Sequence, residues 1–149
     1  MVVINYDEAV KQIQIISKEA RSELLTITNK ALATDTTIPD FKDVQNRRVL
    51  YEKYGSIVSL NDEIGVALLS VKKLTLSIKE LRLAILENKT INYNVTKVYK
   101  DRIDKELESI KELTSSLTEY KQSLDATLRF YNSLQFILTT YKLGGDSYE

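Results

Sequence analysis

Carboxylates are the residues whose types and spacing could do chemistry here. Asp101, Asp104 and Glu108 share one face of a segment with helical period, and Glu106 and Glu112 share another at wider spacing. Paired carboxylates move protons or hold metal ions. The di-metal site of a helical bundle needs inward Glu-x-x-His motifs, and this chain has no His. A solvated charged helix face accounts for these acids better. A second group, Asp35, Asp40 and Asp43, surrounds Pro39 and has the hard oxygen ligands that cations take. It lacks the glycine turn and ligand spacing of an EF-hand, and Asp40 has a simpler role as a helix cap. No catalytic residue, metal or cofactor is therefore expected.

The basic residues Arg47, Arg48, Lys72 and Lys73, with Lys53 and Lys79, would form one patch if their segments lay side by side. Phosphate contact needs such residues unopposed on one face. Here Asp43, Glu52, Asp62, Glu80 and Glu87 are interleaved with them. Lys+Arg and Asp+Glu also balance at 21 each. Nucleic-acid binding through Arg47, Arg48, Lys72 and Lys73 is thus a second reading, not the first. No glycine-rich phosphate loop is present: Gly55 and Gly65 stand alone, and Gly144-Gly145 follows a helix.

Missing residue types exclude more. With no Cys there is no disulfide framework, thiolate nucleophile or Cys-type zinc site. With no His there is no Ser-His-Asp triad and no imidazole ligand. No basic, apolar leader opens the sequence and no run approaches ~18 apolar residues, so neither secretion nor a membrane span is expected. Interfacial membrane binding is not expected either, because acids are mixed into every polar helix face. The expected setting is cytoplasmic, including host cytoplasm for a viral chain. Asn88-Lys89-Thr90 and Asn94-Val95-Thr96 match the glycosylation pattern as chance does in a Thr-rich sequence.

The elements that position these residues are helices. At 149 residues, with one Pro and four Gly, the chain has the length of one domain and too few breakers for an all-β fold. Helix A is expected over about 5–32, with Asn5 and Glu8 as a capping box. Val10, Ile13, Ser17, Ala20, Leu24, Ile27 and Ala31 form its seam, and Ser17 is the polar exception. A loop follows over Thr34–Pro39. Helix B is expected over about 41–54, capped by Asp40 and stopped by Gly55. Helix C follows over about 60–88, and a break at Gly55 is preferred to one kinked helix.

Helix C carries two apolar faces. Ile64, Ala67, Val71, Leu74, Ile78, Leu81 and Ile85 make a four-three seam. Leu69, Leu76 and Leu83 make a second row on nearly the opposite side. A helix with two apolar faces needs two sets of neighbours, inside the monomer or at an oligomer seam. After a short polar connection at Thr90–Asn94, helix D is expected over about 95–142, antiparallel to C. Its proximal seam is Ile103, Leu107, Ile110, Leu113 or Leu117, Tyr120 and Leu124. Its distal part is more apolar, with Tyr131 and Tyr141 as core and Phe136 and Leu143 off the main face. Helix D would outrun helix C by ~25 Å.

The fold expected is all-α: an elongated antiparallel bundle of three to four helices, built on a long coiled-coil-like hairpin. It forms one domain over 1–143 with a flexible tail at 144–149. The function expected is non-enzymatic, a structural or protein-interaction module. It would bind a copy of itself or another helical protein through Leu69, Leu76 and Leu83, with Phe136 and Leu143. The alternative is a nucleic-acid-associated bundle from a virus or mobile element.

Overall fold

The computed structural model describes residues 6–37, 47–87 and 93–141, the side chains of 47, 93–96 and 134–141 excepted. Three helices pack into an all-α bundle: α1 (Tyr6–Ala33), α2 (Arg47–Glu87) and α3 (Tyr93–Tyr141). Asp7 and Glu8 stand in the first turn of α1 and Lys30 in its last, each complementing the helix dipole. Thr34 closes α1, its hydroxyl donating to the Lys30 carbonyl at 2.8 Å. The expected caps Asn5 and Asp40, Pro39, the loop residues 88–92 and the tail from residue 142 lie outside the described residues. Tyr93 and Asn94, read from sequence as loop, are already helical.

The break expected at Gly55 is corrected: helices B and C are one helix, α2. The surroundings of Gly55 explain it. Leu50, Ile57 and Ile64 are all buried at intervals of seven, so the seam keeps its phase straight through Gly55. Gly55 itself is exposed and meets no side chain, and a glycine at such a position costs only ~1 kcal/mol relative to Ala. Burying each of its large apolar neighbours contributes ~1.5–3 kcal/mol. With α2 at 41 residues and α3 at 49, the expected length difference of ~25 Å falls to ~12 Å.

The residues group into two compact units. The first comprises Met1–Thr26 with Val66–Leu117. Its buried core is Ala9, Ile13, Ser17, Ala20 and Leu24 of α1, Val71, Ile78 and Ile85 of α2, and Ile103, Ile110 and Leu117 of α3. Here α1 and α3 run parallel: Tyr6 stacks on Tyr99 at 6.3 Å, and further along Ser17 bonds Glu106. The Arg82–Asp104 pair ties α2 to α3 at 2.8 Å.

The second unit comprises Ile27–Gly65 with Thr118–Glu149. Its buried residues are Ile27 and Ala31 of α1, Leu50, Ile57, Leu60 and Ile64 of α2, and Leu124 and Tyr131 of α3. Within it α2 and α3 run antiparallel. A Cβ on Gly65 would touch the Lys121 side chain at 3.6 Å, and Tyr54, eleven residues earlier, donates to Asn132, eleven residues later. Tyr131 packs its ring on Tyr54 and turns its hydroxyl toward the Thr37 carbonyl at 3.4 Å. That is the amphipathic use of a core tyrosine.

Of the two candidates for the α3 seam, Leu117 is buried and Leu113 only half-buried. Ile103, Ile110, Leu117, Leu124 and Tyr131 then repeat every seven residues. So do Ile64, Val71, Ile78 and Ile85 on α2. A straight helix drifts ~20° per heptad relative to such a repeat, so a strict spacing of seven is the sequence pattern that favours left-handed coiling. The β-branched residues of the α2 row cost up to ~0.7 kcal/mol each in helix propensity, less than their burial returns.

Candidate interaction surface on helix α2

Within the first unit, α2 presents two leucine-rich faces of opposite fate. Val71, Ile78 and Ile85 are buried, while Leu69, Leu76 and Leu83 stay 57, 50 and 54% exposed. Val66, one turn before Leu69, is 70% exposed and extends the row. Each of these leucines sits five positions beyond a buried seam residue, which on a helix is the side facing away. One of its two apolar faces is covered within the unit. The other face is open in the single chain. Ile15 and Leu25 of α1 are also exposed, but they share no helical face.

The row has charged borders. On one side lie Lys72 and Lys79, on the other Lys73 and Glu80, all exposed. Ser70, Ser77 and Ala84 come next after Lys73 and Glu80, so the border there is low. The side chain of Phe136 and the whole of Leu143, the other expected contacts, lie outside the described residues.

The carboxylates expected as a solvated face are partly committed, which corrects that reading. Glu106 Oε2 accepts the Ser17 hydroxyl at 2.5 Å and lies 3.4 Å from an Arg21 nitrogen. Asp104 pairs with Arg82. Ser17, fully buried and polar in an apolar seam, was the sequence signal for the first pair. A buried hydroxyl needs a partner. Nothing in the sequence marked Arg82. Next to Glu106, Val10, Ile13, Tyr99 and Arg102 line a surface hollow of about 280 Å³. Its one carboxylate is already bonded to Ser17 and Arg21.

In the second unit, Asp35 has a local role. Its Oδ1 accepts the Thr37 amide at 3.0 Å and the Thr37 hydroxyl at 2.7 Å. Lys53 of α2 then donates to the Thr37 hydroxyl at 2.8 Å and pairs with Asp35 Oδ2 at 3.3 Å. The two Thr37 hydrogen bonds, followed by the one from Lys53, hold the Asp35 carboxyl down at about 2. This fastens the chain leaving α1 onto α2. Asp40 and Asp43, the rest of the expected acidic group, lie outside the described residues. Among the described residues no cluster of three metal-ligating side chains forms.

The basic residues are split by their contacts. Arg48 pairs with Glu52 one turn on, at 3.3 Å, with both side chains largely in solvent. Lys72 and Lys73 are exposed beside the leucine row, and the side chain of Arg47 lies outside the described residues. Lys30 pairs with Glu63. No described helix is long and apolar enough to cross a membrane. No protein-family model, no curated protein and no solved structure matches this chain.

Proposed function

We propose that the chain is a non-enzymatic structural or protein-interaction module, and that α2 presents the Leu69–Leu76–Leu83 row for another helix to cover. One observation carries this reading. On the same helix, over the same turns, one heptad row is buried to 1% exposure or less while the leucine row stays half in water. Single exposed leucines are ordinary. Three in register, continued by Val66, form an apolar stripe of the kind that a partner helix covers. Two of the acids that could have served catalysis hold helices together: Glu106 binds Ser17 and Arg21, and Asp104 binds Arg82.

The test is the Leu69→Ser/Leu76→Ser/Leu83→Ser variant, followed by circular dichroism and thermal melting in dilute solution. Exposed Leu-to-Ser changes cost only a few tenths of a kcal/mol each in helix propensity. The variant keeps its helical signal and melts cooperatively within a few degrees of the parent. Loss of the fold would make the row part of the core and end this reading.

A further inference from the structure

We infer that the occupant of the α2 row is a second copy of this chain, its α2 lying antiparallel across the first with Leu76 near a two-fold axis. This deepens the reading above and rests on it. The argument is charge complementarity. A two-fold axis through Leu76 brings Leu69 of one copy against Leu83 of the other, closing the row on itself. In that antiparallel arrangement each border of the row meets the same border of the partner. Lys73 then faces Glu80 of the second copy, twice by symmetry. Lys72 would face Lys79 on the opposite border, and like charges there are unfavourable.

The seam therefore closes on the border where Lys73 and Glu80 stand, and opens at the lysine border. The Lys73–Glu80 border also carries Val66, and the small Ser70, Ser77 and Ala84 next to it leave room for the second helix. Lys72 and Lys79 reach outward to water along their alkyl stems. A parallel, in-register pairing fails on the same residues. It sets each border against the partner's other border, Lys73 beside Lys72 and Glu80 beside Lys79 on both sides, so the seam cannot close on the opposite charges and open away from the like ones. A stable interface covers ~800 Å² per partner. Four half-exposed side chains fall short of that, so the dimer forms weakly and responds to concentration.

Light scattering on a sizing column, from micromolar to millimolar chain, tests this with five samples: the parent, Lys73→Glu, Glu80→Lys, the double exchange, and an equimolar mixture of the two single variants. The parent forms a concentration-dependent dimer. Each single variant shifts the midpoint about tenfold or more toward higher concentration. The double exchange and the mixture restore it, because both return opposite charges to the seam. Circular dichroism of every sample, with Leu76→Asp alongside, reports the fold.

A parent that stays monomeric at every concentration while Leu76→Asp stays folded overturns the second copy. The open row is then left for a different helical protein. A dimer indifferent to Leu76→Asp overturns it too, since the contact lies elsewhere. A dimer lost in Leu76→Asp but unmoved by either charge reversal overturns the antiparallel register. If Leu76→Asp unfolds, the docking-row reading itself fails, and the inference with it.

Discussion

Ser17 of α1 and Glu106 of α3 share a hydrogen bond inside the first unit, the fully buried hydroxyl donating to a carboxylate oxygen at 2.5 Å. Among the described residues, Ser17 is the one polar side chain in the buried core. The bond satisfies a hydroxyl that would otherwise be stranded, and it fixes which turn of α3 lies against which turn of α1. A row of aliphatic side chains tolerates sliding by a heptad far better than a serine that needs one glutamate.

Ser17→Ala removes the donor without leaving a buried polar group on α1. Hydrogen bonds to charged groups are worth ~1.5–3 kcal/mol. Glu106 is about one-third exposed, with Arg21 beside it, so we expect a loss near the bottom of that range. Urea unfolding of Ser17→Ala, Glu106→Gln and the double variant measures the coupling. A coupling energy of zero would mean the pair holds nothing in place.

Gly55→Ala should stabilise the chain by about 0.5–1 kcal/mol. The glycine sits inside α2 with no positive φ, and an added Cβ would meet nothing within 4 Å. A glycine ending a helix in the left-handed conformation would give the opposite sign. The melting temperature of this one variant therefore distinguishes a continuous α2 from two helices.

Leu124 is 2% exposed in the core of the second unit. Leu124→Ala should cost about 2–5 kcal/mol. Leu124→Asp should cost more, because it adds an unpaired charge to the same apolar space. Chemical denaturation checks both, and an unchanged midpoint would place Leu124 outside the seam.

Acid should release the tie between Asp35, Thr37 and Lys53. The folded carboxyl titrates at about 2, below its ordinary value of 3.8. A depressed folded value means the contribution is complete above the unfolded value and is lost as pH falls through the folded one. The window is therefore from about pH 4 down to about pH 2. Carboxyl carbon chemical shifts followed by NMR should place the Asp35 midpoint near 2. A midpoint at the ordinary value would remove the Thr37 and Lys53 bonds.

Periodicity made most of the helical fold legible. The α1 seam from Ile13 to Ala31 is buried where the spacing placed it, and so are Ile64, Val71, Ile78 and Ile85 of α2, while Ala67, Leu74 and Leu81 of that expected seam are half-buried. The error at Gly55 came from weighing one residue's conformational freedom above the phase of its surroundings. Leu50, Ile57 and Ile64 carry one heptad row across it, whereas a true break would have shifted that row. The polar contacts were less legible for a different reason. Asp104 and Glu106 look alike along the sequence, and their partners Arg82, Arg21 and Ser17 are distant in it. Only packing decides which acid meets a base and which meets water. The leucine row was visible from its spacing of seven. Its exposure was not, because a second apolar face is equally compatible with a fourth neighbour inside the chain.

The central claim is that the second face of α2 is a contact surface and not core. The solution mass of the parent and of Leu76→Asp, measured side by side over a wide concentration range, tests it most directly. The account predicts that the parent grows toward a dimer with concentration, while Leu76→Asp stays folded and stays a monomer. An unfolded Leu76→Asp, or a Leu76→Asp that associates as the parent does, would contradict it.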